Sequence, residues 1–221
     1  MPPGALPEVS IGTREIVMST TITASGPLTR WRTIDLLTCA FIGVAFGVAY
    51  WAWYLLYQAP STALAAVFPP LQGITGAPWL MAGVVGGLVI RRPGAALFAE
   101  VIAASVEALI GSSWGAATLV SGILQGLGAE IGFAILAYGS FGLGAAMLSG
   151  ALAAPMEAVY EWFNYWTDWD MGYKVAYLVI LTAAGALIAG GGGWLLTTGL
   201  AKAGALGSLP PGQEVREARS V

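Results

Sequence analysis

The stretch RRPGAALFAEVIAASVEALIGSSWGAATLVSGILQGLGAEIGFAILAY, residues Arg91 to Tyr138, decides the fold. It reads as two membrane-crossing helices joined by the turn Gly111-Ser112-Ser113-Trp114-Gly115, with Glu100, Glu107 and Glu130 set among almost wholly apolar neighbours. The two glycines suit tight geometry, and the tryptophan suits the interface between lipid and water. A carboxylate inside a membrane segment is penalised by roughly 2.5 to 3.5 kcal/mol at the helix centre, so it requires a partner, a proton or a polar cavity. The hairpin therefore marks a candidate site as well as a fold class.

The rest of the chain has the same character. Of its 221 residues only 10% are charged and 57% are hydrophobic, whereas soluble domains carry about 25% charged residues. The apolar mass falls into recurring segments of about 20 residues, the length that crosses a hydrocarbon core. The chain is thus an all-α integral membrane protein, predicted with six transmembrane helices. A net charge of −3 offers no basic stripe for phosphates, which sets nucleic acid aside. With no histidine and a single cysteine, an intramolecular disulfide, a histidine-built zinc site and a catalytic triad are excluded. Cys39 reads as a small packing residue. No nucleophile and base pair can be picked out, so the chain is read as a non-enzyme.

Residues 1–29 are polar and mixed, with Pro2, Pro3, Pro7 and Pro27, and are predicted as a disordered cytoplasmic lead without a signal-peptide pattern. A six-helix domain over 30–202 follows. Its spans are predicted from Ile34 to about Tyr57, Pro78 to Ile90, Pro93 to Ile110, Ala116 to Tyr138, Leu143 to Phe163 and Tyr173 to Thr198. In that count Arg30, Arg32, Arg91, Arg92, Lys202, Arg216 and Arg219 fall on one side, Asp168 and Asp170 on the other, and only Lys174 dissents. Basic residues mark the cytoplasmic side. Both termini are therefore predicted to be cytoplasmic in the cell membrane, with 203–221 as a flexible tail. Gly190 to Gly193 mark a weak or closely packed turn in the last span. Between Gln58 and Pro78, Pro60, Pro69, Pro70, Gly73, Gly76 and Pro78 argue against one continuous helix, with Thr62 to Phe68 the one short helical piece. Broken backbone at membrane depth is tolerated where it is buried or lines a cavity, so this segment reads as a lid over a site or as an ordinary long loop.

Side chains able to bind a ligand recur at helical spacing. Tyr50, Trp53, Tyr54 and Tyr57, at i, i+3, i+4 and i+7, set four rings on one stripe, either an interfacial belt or one wall of a site. Gly43 and Gly47 form a GxxxG pair that admits another helix closely, from this chain or from a separate subunit. Glu100 and Glu107 share a face, roughly 10.5 Å apart along the axis. Glu157, Tyr160, Glu161 and Asn164 repeat the i, i+3, i+4, i+7 spacing as a polar stripe, and Thr118, Ser121 and Gln125 line one face of the fourth span. Glu157 and Glu161 would repel if both were ionised, which points to a shared proton, a nearby cation or a positively charged ligand. If the stripes converge, they form an outward pocket of carboxylates and rings, with Trp79 and Trp114 also able to stack on a guest. Such a pocket suits a flat cation, which ring faces attract by about 0.5 to 2 kcal/mol each. Glu100 and Glu130 lie deeper and read as structural or partner-facing. No Walker A loop appears, so a carrier of this size needs an ion gradient or separate ATP-hydrolysing subunits.

Trp31-Arg32-Thr33-Ile34-Asp35 leads into Gly43-Val44-Ala45-Phe46-Gly47 and Tyr50-Trp51-Ala52-Trp53, followed by Gly83 to Gly87, Glu100 with Glu107, and Gly122 to Glu130. Over roughly Trp31 to Leu200 this pattern resembles the substrate-binding S components of energy-coupling factor (ECF) vitamin transporters, and is most similar to their YkoE type. The resemblance implies capture of thiamine or its hydroxymethylpyrimidine precursor from outside. It also implies inward delivery as the chain topples against a transmembrane coupling subunit, with Gly43 and Gly47 as partner contacts. ATP would be used by separate ABC-type ATPase subunits, and the chain itself would need no cofactor. An aminopyrimidine could stack on Trp or Tyr and hydrogen-bond to Glu107 or Glu161. Because the chain has no histidine, a family pattern that uses one cannot be carried over. The competing class is a small proton-coupled secondary transporter for cationic compounds, with Glu100, Glu107 and Glu130 as a relay.

Overall fold

Residues 21–24 and 26–220 are described by the structure, a computed structural model; most of the predicted disordered lead, 1–20 and 25, lies outside the described residues. Uncharged runs of Ala, Leu, Val and Ile fold as helices here because backbone N–H and C=O groups cannot stay unpaired in hydrocarbon. The α-helices are α1 (Thr33–Leu56), α2 (Gln58–Val67), the single turn α3 (Gly73–Gly76), α4 (Met81–Ile90), α5 (Ala95–Ile110), α6 (Ala117–Ile135), α7 (Leu143–Asn164), α8 (Met171–Ala184), α9 (Gly193–Lys202) and α10 (Pro210–Ser220). Two 3-10 turns, Pro69–Gln72 and Ala77–Leu80, flank α3, and a π-helical stretch, Gly185–Gly192, joins α8 to α9. Among the described residues five continuous stretches are long and apolar enough to cross a membrane: Thr33–Leu56, Pro69–Ile90, Ala117–Ile135, Leu143–Asn164 and Met171–Lys202. The chain is a multi-pass membrane protein. At 16 residues α5 is shorter, and it packs among α1, α4 and α6 with no exposed residue before Leu109.

The Arg91/Arg92 end is tied by buried charge. Arg91 takes a left-handed backbone (φ 57°) to end α4, and Gly94 (φ 87°) turns the chain into α5. Arg92 donates from Nε to Asp35 at 2.6 Å, and Arg32 pairs with the other oxygen of the same carboxylate at 2.7 Å, which fixes the start of α1 beside that turn. Glu130 reaches across from α6 and accepts from the backbone N–H groups of Gly94, Ala96 and Leu97 at 2.7, 2.9 and 3.3 Å, with the Tyr138 hydroxyl as a fourth donor. It thereby occupies donors at the start of α5 that have no acceptor within the helix.

Four expectations change. The second span starts at Pro69, not Pro78: Pro69 and Pro70 open the first 3-10 turn and Pro78 sits in the first positions of the second, where a missing N–H costs nothing. The Trp53 indole supports this broken stretch by donating to the Thr75 carbonyl at 3.0 Å. The short helix before it is longer than Thr62 to Phe68, since α2 begins at Gln58. Gly43 and Gly47 are not free for a partner subunit, because α5 covers them: a Cβ on Gly43 would lie 2.6 Å from Cβ of Ile102, and one on Gly47 2.5 Å from Cβ of Val106. The GxxxG face thus joins α1 to α5 within the chain. Finally, 206–215 is largely packed against the bundle: Leu206 and Leu209 are buried, and Glu214 of α10 grips Arg91 at 2.5 and 2.9 Å while accepting from Ile22 N at 2.8 Å, whereas 216–220 stay exposed.

The last span meets α7 backbone to backbone. A Cβ on Gly150 would fall 2.2 Å from the Gly185 carbonyl oxygen and 2.8 Å from Gly190 N. The glycines therefore act through close approach, and the turn around them is π-helical.

Candidate functional site

At the Gly111 end of the bundle, α1, α2, the Pro69–Leu80 stretch, α5, α6, α7 and α8 enclose a cavity of about 500 Å³. Two of its walls carry the carboxylates.

The first wall is built where α4 starts. The Ala82 and Gly83 N–H groups belong to the opening turn of α4 and have no acceptor within the helix. Gly83 N donates to Glu100 Oε2 at 2.6 Å, Ala82 N to the Tyr50 hydroxyl at 2.7 Å, and that hydroxyl to Glu100 Oε1 at 3.0 Å. A carboxylate thus faces the positive end of a half-helix. Two turns towards Gly111, Glu107 Oε1 accepts from the Trp79 indole at 3.0 Å. The Trp79 ring lies 5.2 Å from Tyr57 and 5.6 Å from Trp114, centroid to centroid, so these three rings form a box beside Glu107.

The second wall belongs to α7. Glu157 Oε1 accepts from the Ser121 hydroxyl, which itself accepts from Gln125 Nε2 at 3.1 Å, while Glu157 Oε2 is buried without a hydrogen-bond partner among the described residues. Glu161 accepts from the Tyr177 hydroxyl. Tyr177 packs against Trp166, which stacks on Trp169 at 4.4 Å and 18°. The lining holds Glu100, Glu107, Glu157 and Glu161 but no Lys, Arg or His. It is acceptor-rich and aromatic.

Of the residues singled out from the sequence, Tyr50, Trp79, Glu107, Trp114, Gln125, Glu157, Glu161 and Asn164 come together in this lining. Trp53, Tyr54 and Tyr160 do not. Trp53 lies behind Trp79, Tyr54 stacks on Tyr57 and meets the edge of Trp114, and Tyr160 packs against Tyr165. A stripe at i, i+3, i+4 and i+7 spans a broad arc, so Tyr50 and Tyr57 reach the cavity while the two rings between them support it from behind. Tyr57, placed on the aromatic stripe by its spacing, also lines the cavity; sequence reasoning did not select Gln72, Thr75, Trp166 or Tyr177, and it set Glu100 aside as structural or partner-facing. For Gln72 and Thr75 the signal was present, as polar residues in the proline-broken stretch; for Tyr177, inside a long apolar run, there was none. Glu130 is remote from the cavity, engaged at the start of α5, so the imagined relay of Glu100, Glu107 and Glu130 lacks its third member.

A family model described as "ABC-type cobalt transport system, permease component" matches residues 34–156. The chain is 34% identical over 192 residues to the "Putative HMP/thiamine permease protein YkoE" of Bacillus subtilis (strain 168), an alignment covering 86% of this chain and 94% of that one. A solved structure titled "Crystal structure of an S-component of ECF transporter" shares its fold with a TM-score of 0.76 and 32% identity, covering 86% of this chain and 96% of that one. S components are transport proteins, not enzymes, and pair with transmembrane and ATPase subunits that use the ATP. Kinship along most of its length and a shared fold agree with a membrane-enclosed binding cavity: the chain belongs to the YkoE-type family of ECF S components and is a substrate-binding subunit of such a transporter.

Proposed function

We propose that this chain captures thiamine or its hydroxymethylpyrimidine precursor in the cavity at the Gly111 end and releases it inward with its coupling and ATPase partners. The observation that carries the reading is the combination of four glutamates with an aromatic box in one cavity lined by no cationic side chain. An aminopyrimidine presents N–H donors to Glu107 or Glu161, and a thiazolium cation is drawn to the faces of Trp79, Trp114 and Tyr57. A volume of about 500 Å³ lies within the range of small-molecule sites. The name of the Bacillus subtilis relative supports the same ligand class. Cobalt, named in the family description, suits nitrogen and sulfur donors better than this lining: the chain has no histidine, Cys39 is buried against the Ala95 carbonyl, and the described residues hold no cluster of three metal-ligating side chains.

In this reading the chain crosses the membrane six times, with α5 as the short sixth span. Arg30, Arg32, Arg91, Arg92 and Lys202 share the end opposite the cavity, which supports cytoplasmic termini and an outward-facing cavity. Tyr50, Gln125, Glu157 and Asn164 complete the ligand-binding set. Titration of the purified full-length protein tests the proposal. Thiamine should quench tryptophan fluorescence through Trp79 and Trp114, and calorimetry should register binding. Flat responses in both measurements, with thiamine and with hydroxymethylpyrimidine, would overturn it.

A further inference from the structure

Glu157 is 8% exposed and lines the cavity, yet among the described residues its Oε2 has no hydrogen-bond partner. Three neighbouring bonds run elsewhere: the Ser121 proton goes to Oε1, one Gln125 amide N–H to Ser121, and the Tyr177 hydroxyl to Glu161. A buried carboxylate oxygen of this kind is costly unless a donor from outside the protein meets it.

The cavity is equally specific in what it withholds. Helix N-termini are the usual anion receptors of a fold, and those of α4 and α6 lie beside this cavity. At the start of α6, the Ala117, Thr118 and Leu119 N–H groups donate to the Trp114, Gly115 and Ala116 carbonyls. At the start of α4, those of Ala82 and Gly83 are held by Tyr50 and Glu100. Neither terminus keeps these donors for a phosphate, and the lining contains no Lys, Arg or His.

We propose that Glu157, backed by Glu161, is the charge-selecting residue of this cavity: its unpaired Oε2 receives an N–H or cationic group of the ligand at the α7 wall, and phosphate esters of the same ligand are refused. The inference rests on the thiamine reading and adds to it a discrimination that family membership does not supply. A phosphate monoester carries about −1.5 to −2 charges at pH 7 and has to be seated beside four glutamates with no cationic side chain in the lining to receive it.

The test is calorimetric titration of the full-length protein with thiamine and with thiamine monophosphate, for the natural chain, Glu157→Gln and Glu161→Gln. The natural chain should prefer thiamine by about 10- to 100-fold. Glu157→Gln should weaken thiamine more than the monophosphate and shrink that preference by about tenfold. Equal affinity of the natural chain for the two compounds overturns the inference without touching the thiamine reading, and needs no variant to fold. A preference unchanged in both variants overturns the role given to Glu157. If the natural chain binds neither compound, the thiamine reading falls and takes the inference with it.

Discussion

Tyr50→Phe removes a single oxygen at the point where α1, α4 and α5 meet. The ring stays, with its packing against Phe46 at 5.9 Å, so the change isolates the hydroxyl. That hydroxyl joins the Ala82 N–H at 2.7 Å to Glu100 Oε1 at 3.0 Å, and all three residues are at most 3% exposed. Without it the Ala82 N–H is left unpaired, at a cost of about 1–3 kcal/mol, and Glu100 loses one of its two hydrogen-bond partners, about 0.5–1.5 kcal/mol. Glu100 also lines the cavity, where water can replace part of that loss, so the net destabilisation is about 2–4 kcal/mol. For a chain of this length that lowers the unfolding midpoint by roughly 5–15 °C. The assay is a thermal scan of detergent-solubilised protein at one fixed heating rate, with Tyr54→Phe, outside this network, as the control. A Tyr50→Phe midpoint within about 1 °C of the natural chain would refute the claim that this hydroxyl holds the start of α4.

Glu107→Gln replaces a charged acceptor of the Trp79 indole with a neutral one and should weaken thiamine binding by about 1.5–3 kcal/mol, measured by calorimetry. Unaltered affinity would move the ligand away from this wall. Gly43→Leu has no room against Ile102 and the Ala99 carbonyl, so it should abolish monodisperse protein and ligand binding together. Size-exclusion chromatography that returned a folded, thiamine-binding variant would restore the idea of a face kept for a partner. Glu214→Ala breaks the pair with Arg91 and should raise amide hydrogen exchange along α10 while thiamine affinity stays the same. Equal protection in α10 would mean that its apolar contacts alone hold it.

Much of this molecule could be read from residue order. Arg91-Arg92 and Gly111-Ser112-Ser113-Trp114-Gly115 fall at helix ends because charge and glycine interrupt apolar runs, and the glutamates of α5 and α7 announce a polar interior at membrane depth. What periodicity cannot supply is which helix covers which face. Gly43 and Gly47 say that something approaches closely, but only three dimensions identify it as α5. Prolines at 69, 70 and 78 mark the interruption, and they stand in the first two positions of 3-10 turns, where helical structure tolerates them. Tyr177 and Trp166 complete the second wall through contacts with α7 that leave no trace in the spacing of α8 or of the turn before it. Residues 205–220 look polar enough to be loose, and the pairing of Glu214 with Arg91, more than a hundred residues away, is invisible to any local window.

The shortness of α5 bears on how the protein is made. Sixteen residues span about 24 Å at 1.5 Å per residue, less than the roughly 30 Å of a hydrocarbon core, and this segment also contains two acids. Offered to the bilayer alone by the insertion machinery, such a segment partitions poorly. In the finished molecule α1, α4 and α6 surround it, so it has little need to meet lipid on its own. Its burial therefore leans on α6, which follows it in the chain, and an α5 made without α6 is expected to insert poorly.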